Sequence, residues 1–61
     1  MDTILNQIEI NKKLLRELEP VEDLWYNPSL QLAWNIIVDN IKEMEDIRGL
    51  ELSEYMKFEI N

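Results

Sequence analysis

The stretch NPSLQLAWNIIVDNIKEMEDIRG, residues 27–49, decides the fold. Asn27 can cap a helix, and Pro28 suits its first position, where a missing N–H costs nothing. Gly49 supplies the matching stop, with Arg48 beside the negative end of the helix dipole. This predicts a helix over 28–48, roughly 30 Å long at the standard rise. At about 100° per residue, Leu30, Ala33, Trp34, Ile36, Ile37, Val38, Ile41, Met44 and Ile47 spread over more than half its circumference. One neighbouring helix needs an apolar stripe only a little wider than ~100°. The segment therefore needs more than one covering element.

The first cover lies upstream. Ile4, Ile8, Asn11, Leu15 and Leu18 recur at spacings of four and three, which places them along one side of a helix over 3–18. Leu5 and Leu14 widen that stripe, and Asp2 or Thr3 can cap its start. Pro20 disfavours helical geometry at Glu19, so the helix is expected to stop near Leu18. The linker 19–27 has room for one helical turn, with Val21, Leu24 and Trp25 expected against the helices. The second cover lies downstream, in 50–60. Leu50, Leu52, Met56, Phe58 and Ile60 alternate as in a strand, while Leu52, Tyr55, Met56 and Ile60 fit a helix capped by Ser53. A helix is favoured, because a lone strand needs a pairing edge that only a second copy could supply. The fold class is all-α: one domain, a helical hairpin with a short C-terminal element folded over it.

Sixty-one residues bury only about 60% of the surface their unfolded chain exposes, so such a domain is marginal without help. There is no cysteine to form a disulfide and no histidine to bind a metal, and no cofactor is expected. Association is the remaining aid. We expect a homodimer or larger homo-oligomer, a helical bundle joined through Ile4, Ile8, Asn11, Leu15, Leu30, Trp34, Ile37, Ile41 and Met44. Asn11 in the seam could pair across a symmetry axis, or simply sit half-exposed on a short helix. A monomer in which the C-terminal element covers the whole arc is the alternative.

Hydrophobic residues make up 46% of the chain, which marks a folded protein rather than a disordered one. The net charge of −7 argues against direct nucleic-acid binding and against anionic membrane surfaces. Most of it lies after residue 19, where nine acids face Lys42, Arg48 and Lys57. Neither a signal peptide nor an apolar run of about 20 residues is legible, so a cytoplasmic protein is expected.

Asp39, Glu43 and Asp46 follow a spacing of four and three and share a face of the second helix. Carboxylate clusters can hold hard cations or act in acid–base chemistry. On the polar side of an amphipathic helix a solvated face explains them better, and no metal site is expected. As a function, that face suits docking to a basic protein surface. Tyr26 and Tyr55 join it as partner-binding candidates, since they have a weaker claim to the core than Trp34.

The layout of helix, Pro-containing turn and helix resembles the small helical-hairpin aspartyl phosphatases that act on sporulation response regulators. Their diagnostic run is Ser-Gln-Glu-Leu-Asp in the second helix. Here the corresponding residues are Asn35, Ile36, Ile37, Val38 and Asp39, so only the final Asp matches. The run that carries the activity is missing, and the resemblance stops at about 45 residues of generic hairpin.

No catalytic residues are expected. The expected function is that of a non-enzymatic regulator or inhibitor that binds a protein target, of the kind phages and mobile elements encode. Two alternatives are a DNA mimic that blocks a nucleic-acid-binding protein, and a metal-dependent hydrolase assembled from those carboxylates across a dimer.

Overall fold

The computed structural model describes residues 2–60. Helix α1 spans Thr3–Leu18, a 3-10 turn spans Glu22–Trp25, and helix α2 spans Pro28–Ile47; no strand occurs among the described residues. Asp2 opens α1 by accepting the Leu5 N–H at 3.1 Å. Its end departs from the expected mechanism. Glu19 keeps right-handed helical dihedrals (φ −52°, ψ −44°) and donates to the Leu15 carbonyl at 2.9 Å. The helix stops one residue later because Pro20 has no N–H to continue the ladder.

Asn27 starts α2 by accepting from Ser29 N–H at 2.9 Å and Leu30 N–H at 3.4 Å, with Pro28 at the first turn. At the other end Gly49 adopts φ 69°, its N–H donates to Asp46 O at 3.0 Å, and Leu50 N–H donates to Glu45 O at 2.8 Å. That pair of bonds is a Schellman closure, and it explains why a glycine stands there. Arg48 reaches Asp2 at 2.6 Å and so ties the end of α2 to the start of α1.

The two helices lie side by side over a core of Leu15, Leu24, Trp34, Val38 and Ile41, with Ile8 also buried. Leu24 hangs into this core from the 3-10 turn. Val21 and Trp25 do not follow it and stay substantially exposed, contrary to expectation. The total accessible surface is 4626 Å², about a tenth above the ~4200 Å² that size scaling gives for a compact monomer of this mass. The extents of 37 × 21 × 15 Å show why: the hairpin is long and thin.

Residues 50–60 form neither the favoured helix nor a paired strand. They run back along α2 as an extended tail whose backbone is held by α2 side chains. Glu45 accepts from Ser53 N–H at 2.9 Å and Ser53 Oγ at 2.7 Å. Trp34 Nε1 donates to the Met56 carbonyl at 2.8 Å. Asn35 accepts from Phe58 N–H at 2.8 Å and donates to Phe58 O at 2.7 Å. A primary amide offers one donor and one acceptor side by side. Asn35 thus gives Phe58 what an adjacent strand would give, which removes the need for a second chain.

Candidate functional site

The tail, the 3-10 turn, the end of α1 and the middle of α2 enclose an open groove of about 200 Å³. Trp25, Trp34, Tyr55 and Phe58 supply its aromatic lining, together with Leu24 and Met56. Phe58 makes T-shaped contacts with both tryptophans, with centroids 5.4 Å from Trp25 and 6.2 Å from Trp34. Trp34 is fixed by its indole hydrogen bond and is almost fully covered, whereas Trp25 is 51% exposed. Glu19 and Glu54 line the same groove, and neither takes part in an ion pair among the described residues.

A second polar node lies further along α2. Glu45 is 3% exposed, the only buried charged side chain among the described residues. Burial alone acts to raise its pKa and is the largest single influence. The Ser53 hydrogen bonds and the Lys12 ammonium, at 3.5 Å, together outweigh it and hold the carboxyl below its ordinary value. The ionised form is therefore what clamps the tail.

The expected acidic face is partly taken up within the chain. Asp39 holds Lys57 at 2.8 and 3.0 Å, while Glu43 and Asp46 remain exposed. Among the described residues no three acids converge as a cation site, so these carboxylates share a face without meeting. Exposed Leu32 and Ile36 fall on the same outward side as Glu43 by helical register. Tyr26 is the most exposed large hydrophobic side chain among the described residues at 77%; Tyr55 is half-buried against the core and contributes to the groove.

Of the nine residues expected between copies, Ile8, Leu15, Trp34 and Ile41 are buried inside the single chain. Ile4, Asn11, Leu30, Ile37 and Met44 are half-buried. Leu30, Ile37 and Met44 flank the buried line of α2 on the side away from the tail-binding Asn35 and Asp39. Asn11 donates its amide to the Gln7 carbonyl at 2.7 Å, one turn back.

Sequence reasoning missed Glu45, Asn35, Ser53, Glu19 and Glu54. Glu45 did carry a signal. It extends the series Trp34, Val38, Ile41 by four residues and so lies on the core line of α2. Comparison of the chain with protein-family models, curated proteins and solved structures gives no match. No helix among the described residues is long and apolar enough to cross a membrane.

Proposed function

We propose that this protein acts by binding a protein partner with a basic surface, as a small regulator or inhibitor with no chemistry of its own. The observation that carries the reading is the distribution of unpaired charge. Ion pairs within the described residues engage Lys12, Arg48 and Lys57 with Glu45, Asp2 and Asp39. Lys13, Arg16 and Lys42 remain to balance the other ten acids. Among those acids, Glu43 shares the outward side of α2 with exposed Leu32 and Ile36, and Glu22 and Asp23 lie in the 3-10 turn with exposed Trp25 and, just after it, Tyr26. Apolar anchors inside a charged rim are the usual composition of a protein-binding surface. The lack of histidine and cysteine supports binding over catalysis.

The test is affinity capture from the source cell across a salt series. The wild-type chain is compared with a variant carrying Glu43→Gln and Asp46→Asn, which leaves the Asp39–Lys57 pair in place. Specific capture that weakens with salt and with the substitutions supports the reading. Failure to retain any specific protein counts against it. A DNA mimic is less well supported, because the Lys57 ammonium interrupts the carboxylate row at Asp39. A hydrolase assembled across a dimer is weaker still, since Asp39 would first have to release Lys57.

We also propose self-association. The excess accessible surface and the half-buried row of Leu30, Ile37 and Met44 favour it. It would use the hairpin side away from the tail. Sedimentation equilibrium at micromolar concentration showing only the 7.4 kDa species would remove it.

A further inference from the structure

We propose that the aromatic groove is a receptor for one arginine side chain of a partner segment; the inference rests on the binding reading above and gives it a location. The volume of about 200 Å³ falls short of the ~300–1000 Å³ typical of small-molecule and cofactor sites. It suits a single long side chain entering from solvent. The lining specifies the chemistry. Trp25 leaves much of its ring uncovered, and indole faces attract cations through their quadrupole. Glu19 and Glu54 add two carboxylates that have no internal ion partner among the described residues. Glu19 also caps the C-terminus of α1, where the helix dipole is negative. Three independent sources of negative potential therefore meet an aromatic wall.

Arginine fits this better than lysine. Its planar guanidinium stacks on an aromatic ring while its edge donates to carboxylates, and it is more weakly hydrated than an ammonium. Two of the walls are also set in place beforehand. Trp34 is fixed by the Met56 carbonyl, and Phe58 by Asn35 and its T-shaped contacts with both tryptophans. Those two walls add little ordering cost, and Trp25, 51% exposed, is the side chain left for the ligand to order.

The experiment titrates the full ¹⁵N-labelled chain with an acetylated, amidated Gly-Arg-Gly peptide and, in parallel, with the neutral isostere containing citrulline. The expected result is a saturable shift of the Trp25 and Trp34 indole N–H signals and of the 54–58 amides, at millimolar peptide. The citrulline peptide should bind about tenfold more weakly. Glu19→Gln and Glu54→Gln, both at exposed positions, should each weaken the arginine peptide by about three- to fivefold with helix content unchanged. Equal binding of the two peptides overturns the proposal. So do shifts scattered over surface carboxylates, or none that saturate. Capture of a partner that is unaffected by Glu19→Gln and Glu54→Gln also overturns it, while leaving the binding reading intact. Saturable arginine binding without any captured partner upholds the groove and counts against that broader reading instead.

Discussion

Replacing Glu45 by Gln isolates the charge that holds the tail. The two Ser53 bonds to an ionised carboxylate are worth about 1.5–3 kcal/mol each, and neutral bonds about half as much. Gln can keep both contacts, accepting from the Ser53 N–H and donating to its Oγ. What is lost is the charge assistance, plus a Lys12 pair worth under about 1 kcal/mol because Lys12 remains a quarter exposed. Relief from burying a charge returns part of this. The net expectation is a loss of about 1–2 kcal/mol, against a total stability of about 3–9 kcal/mol for a chain this short. The pH dependence is diagnostic. The folded-state pKa of Glu45 lies below its ordinary 4.5, so its contribution is complete above that value. It is lost as pH falls below 4.5 and through the folded-state pKa. Gln has no such proton, so the wild-type and variant stabilities should converge in acid. Urea unfolding followed by tryptophan fluorescence, at about pH 7 and about pH 3, measures the gap. A gap that stays constant between them, or is absent at neutral pH, would refute the role given to the ionised carboxylate.

Three further outcomes follow from the same geometry. Asn35→Ala removes both bonds to Phe58 and should cost about 1–2 kcal/mol; hydrogen exchange should show the Phe58 amide losing protection while core amides of α2 keep most of theirs. Gly49→Ala places a side chain at φ 69° with open space around it, so the cost is backbone strain alone, about 1–2 kcal/mol, read as a lower Tm. Ile41→Ala empties a site with 0% exposure and should cost about 2–5 kcal/mol, enough to leave a substantial unfolded fraction by circular dichroism.

The helices were legible because their signals are local. Asn27-Pro28 and Gly49 act within one turn of the ends they mark, and they give the α2 bounds to within one residue, the helix ending at Ile47 with Arg48 as its cap rather than at 48. The stop after Leu18 was legible for the same reason, although Pro20 acts there through its missing donor rather than by bending Glu19. The tail was not legible. Its backbone partners sit 8 to 23 residues away, on side chains whose types say nothing about what they will hold. Asn35 reads as a polar residue on a solvated flank and acts as a surrogate strand. Glu45 reads as one more surface acid, and only its register with Val38 and Ile41 hints that it faces inward. The aromatic groove was equally hidden, since it exists only once the tail has come to rest beside Trp25 and Trp34. Expecting interface residues at Ile8, Leu15, Trp34 and Ile41 placed the right side chains on the right faces but gave them to a second copy. The hairpin covers them itself.

The way the tail is held has a consequence for how this chain can vary. Three of its attachment points grip main-chain atoms, the Ser53 N–H, the Met56 carbonyl and both polar groups of Phe58, which almost any residue would present equally well. Much of the instruction for the tail's path therefore resides in Trp34, Asn35 and Glu45, with Ser53, Lys57 and Phe58 adding side-chain contacts from the tail itself. Position 56 should accept nearly any residue without loss of the path. A proline at position 58 would break the last contact by removing the donated N–H, and one changed amide at position 35 would release residue 58 for every tail sequence while the Ser53 and Met56 attachments remain.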